Sequence, residues 1–178
     1  MRRLTWAVGV VALAGCAMAP LAWSQGTATQ AAPGAVDVLT ASSLAAHAAA
    51  NVAAAKKTEK GEVSEILTRY PGHYILLSSR SKSGGAEFHA HYSDILIVLD
   101  GEGTELTGGT IVEPKHGPNG EITGLRLEGA TPHPLHKGDV VHLPPGTPHQ
   151  AIVAPGKTLT LFVIKVEKLA GATVTTAK

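Results

Sequence analysis

Two short stretches decide the fold of this chain: AEFHAHYSD at residues 86–94 and GDVVHLPPGTPH at residues 138–149. In the first, His89 and His91 lie two apart in a strand-like segment, and residues at that spacing on a strand point to the same face. Two imidazoles a few ångströms apart can hold one divalent ion, although an exposed histidine pair on a strand is the plainer interpretation. The second stretch predicts a Gly-Asp turn, a strand over Val140–Leu143 and a Pro-Pro-Gly corner before His149.

The segment around these stretches, residues 62–168, predicts an all-β domain. Short runs rich in Val, Ile, Leu and Thr alternate there with Gly and Pro. About nine strand candidates with no convincing helix between them predict an antiparallel sandwich or barrel. Glu87 has the same strand parity as the two histidines. Asp94 opens the next apolar run, and an antiparallel neighbour can bring it back beside them.

Composition limits the classes of function. The chain has 178 residues, of which 44% are hydrophobic and 16% charged, so it can fold as one domain with short extras. Its 15 basic and 14 acidic side chains include no basic run outside the start, which excludes a nucleic-acid binder held by a charged stripe. The single cysteine excludes internal disulfides and CxxC-type zinc clusters, whereas nine histidines are an unusually high number.

The start of the chain predicts export. In residues 1–24, two arginines precede an apolar stretch interrupted by Gly and Pro, and Ala22-Trp23-Ser24 places small residues where a signal peptidase cleaves. A second processing route stays open, because Leu13-Ala14-Gly15-Cys16 resembles a bacterial lipobox in which Cys16 becomes lipidated. Either route predicts an exported protein, periplasmic or anchored to the membrane as a lipoprotein.

Three further segments flank the predicted barrel. Residues 25–40 are small and polar and predict a linker. Residues 41–60 are rich in alanine at their start and contain several lysines near their end, and either Thr40 or Ser42 can cap the start. These features predict a helix. The tail at 169–178 is expected to be flexible.

The two histidine stretches closely resemble the two conserved motifs of the cupin superfamily. In its first motif a glycine precedes His-x-His, and a glutamate and a second glycine follow. Here His89, His91 and Gly101 match, while Asp94 stands at the glutamate position after a spacing one or two residues short, and the leading glycine comes late. The second motif is matched by Gly138, Pro144, Gly146 and His149, with Val153 at its final asparagine position.

The resemblance implies a cupin-type jelly-roll barrel over residues 62–168 that holds one metal near its mouth. Its ligands would be three histidines and one carboxylate, namely His89, His91, His149 and Asp94. If the shortened spacing keeps Asp94 from the metal, Glu87 is the substitute, and Asp94 would then be a turn-capping residue. Imidazole with carboxylate suits Fe²⁺, Mn²⁺, Zn²⁺, Ni²⁺ or Cu²⁺, with one or two coordination positions left open.

Two classes of function stay open on this evidence. The first is a metal-dependent enzyme acting on a small organic molecule, with Glu87 or His142 as general base, since cupins include oxygenases, lyases, decarboxylases and isomerases. The second is a non-catalytic periplasmic module that binds a metal or a small ligand. The resemblance also implies a homodimer paired through edge strands, and the long segment 102–137 predicts an added hairpin near the barrel mouth.

Overall fold

The computed structural model of the chain describes residues 29–30, 34 and 36–168. The predicted signal peptide at 1–24, with Cys16, lies outside the described residues, as do most of the linker's first half and the tail at 169–178. Within the described residues, no helix is both long and apolar enough to cross a membrane.

The Ala-rich segment forms one helix, α1 (Ala41–Ala55). Thr40 caps its start, because its side chain accepts a hydrogen bond from the Ser43 backbone N–H at 3.2 Å. The helix ends five residues earlier than the predicted residue 60, because the Thr58 backbone and side chain both donate to the Ala55 carbonyl and close the last turn. Ala48, Asn51 and Ala55 form the buried face of α1.

The remaining elements are strands. They are β1 (Thr29–Gln30), β2 (Glu62–Tyr70), β3 (His73–Arg80), β4 (Ala86–His89), β5 (Tyr92–Thr107), β6 (Thr110–Val112), β7 (Lys115–His116), β8 (Glu121–Gly124), β9 (Arg126–Glu128), β10 (Thr131–His136), β11 (Val140–Leu143), β12 (His149–Ile152) and β13 (Leu159–Glu167), with a 3₁₀ turn at Pro118–Gly120. Eleven of them form one curled sheet in the order β1-β2-β3-β13-β5-β12-β4-β8-β7, with β10 and β11 also paired to β5; β6 and β9 form a separate pair.

The long strand β5 connects the two halves of the barrel, because it pairs with strands of both. Its first part pairs with β11 and β13, and its second part with β10 and β12. Gly101 marks the change with φ +81°, and the β13 register shifts nearby, between Thr160 and Leu161. Every pairing is antiparallel except the short β1–β2 contact. The predicted all-β barrel preceded by one short helix is therefore confirmed.

Two details of the predicted strands are wrong. The strand that carries the histidine pair ends at His89, and residues 90–91 form a bend, so His89 and His91 do not share a strand face. The segment 102–137 is more than a hairpin, because it extends β5 and adds five strands, β6 to β10. Of these, β8 pairs with β4 and therefore lies beside the histidine stretch.

The core of the barrel is aliphatic. Leu76, Leu96, Val98, Leu159, Leu161 and Val163 are each at most 6% exposed and pack in one cluster with Leu135, Leu143, Ala151 and Val153. Polar side chains also enter the barrel, and they gather where β4, β5, β12 and β13 meet.

Candidate metal centre

Two histidines from separate strands converge at one end of the barrel. His89 is the last residue of β4 and His149 the first of β12, and the β4–β12 register places His149 opposite Glu87. Their imidazole centroids are 5.2 Å apart. Asp94 enters from β5, where it is 3% exposed. We call Glu87, His89, Asp94 and His149 the site cluster.

The spacing within the site cluster fits a shared ion. The possible ligand atoms of Glu87, His89 and His149 all lie within 4.8 Å of one another. The Asp94 Oδ2 lies 3.6 Å from the His89 Nε2 and 3.8 Å from the His149 Nε2. Metal bonds of about 2.1 Å at tetrahedral angles place neighbouring ligand atoms about 3.4 Å apart. Within the described residues, the His89 Nε2 and the Asp94 Oδ1 are buried without hydrogen-bond partners, as the ligand atoms of a metal site would be.

Both imidazoles are held by their other nitrogen, which presents Nε2 to the cluster. The His149 Nδ1 lies 3.1 Å from the Thr147 carbonyl and donates to it, so the Nε2 is the acceptor atom in the neutral ring. The His89 Nδ1 donates to the Glu121 carboxylate from β8. Carbonyl and carboxylate acceptors of this kind are the usual partners of metal-binding histidines.

The charges around the cluster favour ionised Glu87. Burial alone would raise the pKa of Glu87, but His89 and the Arg80 guanidinium, 3.6 Å away, outweigh it and lower that pKa. Glu87 is therefore suited to be a carboxylate ligand, and its low pKa makes it a weak general base.

The pKa values of the two imidazoles are shifted in opposite directions. Burial disfavours the charged form of His89, but Glu87, Asp94 and Glu121 outweigh it, and its pKa is raised. Burial dominates at His149 and lowers its pKa, which keeps that ring neutral at neutral pH.

Asp94 has a cation as its direct partner. The Lys165 Nζ lies 2.6 Å from the Asp94 Oδ2, and both side chains are at most 10% exposed. Asp94 lies inside β5 and caps no turn, since the bend falls at residues 90–91 instead. Lys165 thus occupies the Oδ2 of Asp94, whereas the Oδ1 has no hydrogen-bond partner among the described residues.

Two predicted site residues lie outside the site cluster. His91 is exposed in the bend after β4, and its assignment as a ligand stays a prediction that this arrangement does not favour. His142 on β11 is exposed and lines an outer groove with His133 and Pro144. Leu143, the next residue along β11, pairs with Asp94 and is buried. Because successive side chains of a strand point to opposite faces, His142 faces away from the cluster.

Sequence reasoning missed Glu121, Lys165 and Arg80. Glu121 belongs to the long segment between the motifs, and Lys165 lies on the last strand, whose alternation with apolar residues is also typical of an exposed lysine. Only the burial of Lys165, at 8%, and of Arg80, at 7%, distinguishes them from surface cations. No local pattern encodes that burial.

The site cluster opens on a cavity inside the barrel. Its volume is about 70 Å³, and Glu87, Asp94 and His149 form part of its wall. Leu96, Leu161 and Val163 line it on the apolar side. A space of this size holds a few water-sized groups, so a ligand beside the cluster would be small.

The fold of this chain is similar to those of several proteins of known structure. No family model and no curated protein sequence matches the chain. The DMSP lyase DddQ from Ruegeria pomeroyi DSS-3 is 18% identical with a TM-score of 0.44, covering 65% of this chain and 51% of that chain. A cupin 2 conserved barrel domain protein from Salinispora arenicola CNS-205 is 19% identical with a TM-score of 0.43, covering 61% and 77%.

A third solved structure is a predicted oxalate decarboxylase from Thermotoga maritima. It is 16% identical with a TM-score of 0.38, covering 53% of this chain and 65% of that chain. This chain thus spans about half the length of the DMSP lyase. The described strands form an antiparallel barrel in which the two motif histidines, His89 and His149, converge at one end, as the two motifs predict.

Proposed function

We propose that this protein binds one divalent transition metal at the site cluster and acts as a metal-dependent enzyme on a small organic molecule. The observation that carries the proposal is that the possible ligand atoms of Glu87, His89 and His149 lie within 4.8 Å of one another, with the His89 Nε2 buried and without a hydrogen-bond partner among the described residues. Imidazole and carboxylate donors without a thiolate suit Fe, Mn, Zn, Ni or Cu. Oxygenase, lyase, decarboxylase and isomerase chemistry all fit such a centre.

The chain's own residues have separate tasks in this proposal. Glu87, His89 and His149 would hold the metal, which supplies Lewis-acid polarisation of a bound oxygen. Glu121 and the Thr147 carbonyl fix the orientation of the two rings. Lys165 neutralises Asp94, and the aliphatic wall of the cavity excludes bulk water from the centre.

The test is the metal content of the untagged protein, measured by elemental mass spectrometry. His89→Ala, His149→Ala and Glu87→Gln should each lower bound metal sharply, whereas His142→Ala, on the outer face, should not. His91→Ala and Asp94→Asn decide whether either residue is an additional ligand. Wild-type protein that binds no divalent metal at micromolar concentration would overturn the proposal.

A non-catalytic metal or small-ligand binding module is the second candidate. The small cavity, about 70 Å³, favours it, because little space is left for a substrate beside the ion. Water-proton relaxation of the Mn²⁺-loaded protein separates the two. An exchangeable water on the metal supports the enzyme, and a metal without one supports the binding module.

We also propose that residues 1–24 direct export and that the mature protein is periplasmic or lipid-anchored through Cys16. The charged start, the apolar run and the lipobox-like stretch support this proposal. The intact mass of the protein purified from a membrane and a periplasmic fraction tests it. A diacylglycerol adduct on Cys16 indicates the anchor, an unmodified start near Gln25 indicates cleavage, and an uncleaved chain in the cytoplasm contradicts export.

A homodimer is the further proposal that follows from the resemblance. Cupins often pair through edge strands, and β1 and β7 end the main sheet here. Light scattering coupled to size-exclusion chromatography gives the mass directly. A weak dimer with a Kd of roughly 100 μM forms above that concentration, so a monomer mass measured there would contradict the proposal.

A further inference from the structure

Glu105 is a buried acid that none of the roles above uses. It lies in the second half of β5, opposite Ala151 of β12, and is 1% exposed. Neither of its carboxyl oxygens has a hydrogen-bond partner among the described residues. Glu105 lines the same cavity as Glu87, Asp94 and His149. A buried polar group without a partner is costly, so it points to a function for that group.

The surroundings of Glu105 favour its neutral form. Burial raises the pKa of Glu105, Arg80 partly opposes this and the charges of Glu87 and Asp94 add to it, so that the pKa is about 8 in the metal-free protein. Arg80 is already engaged by the Glu62 carboxylate at 2.8 Å. In the metal-free protein Glu105 is therefore largely a carboxylic acid at neutral pH, and its carboxyl group offers an O–H donor in the wall of the cavity.

A second donor in the same cavity also lacks an acceptor. Arg80 is 7% exposed, and no group in the described part of the chain accepts a hydrogen bond from its Nε. Arg80 and Glu105 both line the cavity. Two buried donors without acceptors call for a ligand that carries acceptor oxygens.

The charge balance of the cavity indicates the sign of that ligand. The charged side chains in its wall come from five strands: Glu62, Arg80, Glu87, Asp94 and Lys165. With Glu105 and His149 neutral, they sum to a net charge of −1, and a divalent ion would change it to +1. One negative charge on the ligand restores neutrality within this wall, which a low-dielectric interior favours; the sum does not include Glu121, which contacts His89 from outside the wall.

We propose that the barrel cavity binds a small organic monocarboxylate next to the metal, and that neutral Glu105 donates its O–H to a carboxylate oxygen of this ligand. The cavity volume limits the ligand to a few heavy atoms, and Leu96, Leu161 and Val163 would contact its apolar part. The metal half of this inference rests on the proposed function, whereas the neutral state of Glu105 does not.

The first experiment tests Glu105 alone, in metal-free protein. Infrared difference spectroscopy between low and high pH detects the carbonyl stretch of a protonated carboxylic acid. We expect this band at pH 7 in the wild type, lost as the pH rises through about 8, and absent from Glu105→Gln. Glu128→Gln, an exposed acid on β9, is the control and should keep the band. A wild type without the band at pH 7 would overturn the inference.

The second experiment measures acetate binding to the Co²⁺-loaded protein through the visible absorption of the metal. Glu105→Gln keeps a donor and should bind acetate within about threefold of the wild type, whereas Glu105→Leu should bind it roughly tenfold more weakly. Wild-type binding should weaken with rising pH more than Glu105→Gln binding does, because only the wild type can ionise at residue 105. Circular dichroism of each variant checks that it is folded.

The outcomes separate the two proposals. If the protein binds no Co²⁺ but shows the infrared band, the proposed metal site is contradicted and the neutral state of Glu105 is supported. If Co²⁺ binds and Glu105→Leu binds acetate as tightly as the wild type, the metal centre stands and the carboxylate site is wrong.

Discussion

At the scale of single residues, the buried pair of Lys165 and Asp94 controls the charge of the site. Lys165→Met would leave an ionised aspartate 3% exposed without its cation, which costs about 3 kcal/mol of folding free energy in the metal-free protein. Urea unfolding measures this loss. Saturating Zn²⁺ should recover much of it, because the ion replaces the ammonium charge.

The double variant Lys165→Met/Asp94→Asn is the control for that prediction. It removes both charges, so it should be more stable than Lys165→Met alone, and the two changes should not add. A Lys165→Met protein as stable as the wild type without metal would contradict the assignment.

Glu121 positions His89 through the ring nitrogen that does not face the metal. Glu121→Gln keeps an acceptor for the Nδ1–H but loses the charge, so metal affinity should fall roughly tenfold. Competition with a chromophoric chelator measures that affinity. Glu128→Gln, an exposed acid of the same long segment, should leave it unchanged. Equal affinities for Glu121→Gln and the wild type would remove Glu121 from the site.

Glu105 makes stability depend on pH. Its pKa rises from 4.5 in the unfolded chain to about 8 in the fold, so its contribution is fully present below pH 4.5 and is lost as the pH rises through 8. Glu105→Gln removes this loss. At pH 9 it should exceed the wild type in stability by on the order of 5 kcal/mol, with little difference at pH 4.5. Parallel urea curves at the two pH values check this, and an equal difference at both would contradict it.

At the scale of elements, the bend of β5 depends on Gly101. An added Cβ there would lie 2.0 Å from the Thr158 carbonyl oxygen, at a φ of +81°. Gly101→Ala should therefore lower the free energy of unfolding by at least about 2 kcal/mol, which a lower thermal midpoint would show. Gly138 is the matched control, since it has φ +95° but nothing within 4 Å of its added Cβ. Gly138→Ala should cost only about 1 kcal/mol. Similar losses for both would show that the crowding is unimportant.

At the scale of the whole molecule, the site cluster ties β4, β5 and β12 together, so metal binding should stabilise the entire barrel. A metal at 100 times its Kd adds about 2.7 kcal/mol, which raises the Tm by roughly 5–10 °C. Differential scanning calorimetry with and without the metal measures it. The shift should be absent from His149→Ala and present in His142→Ala. A shift of equal size in His149→Ala would place the ion elsewhere.

Local patterns in the sequence predict an all-β domain with a histidine pair and a helix capped by Thr40 or Ser42, because strand period, turn glycines and capping hydroxyls act over a few residues. The jelly-roll barrel and the pairing of His89 with His149 are implied instead by the resemblance of the two motifs to the cupin superfamily, since no local pattern says which distant strands meet. Glu87 was also within reach, since strand parity places it on the face of His89.

Only the tertiary structure decided which other charged groups reach the site. The strand that carries His89 ends before His91, and a one-residue change of strand end or register moves a side chain to another face. Glu121, Lys165 and Glu105 come from strands distant in the chain, and their burial depends on which strands pair with β4 and β5. Pairing partners are chosen by the packing of the whole sheet, so no short stretch of sequence contains them.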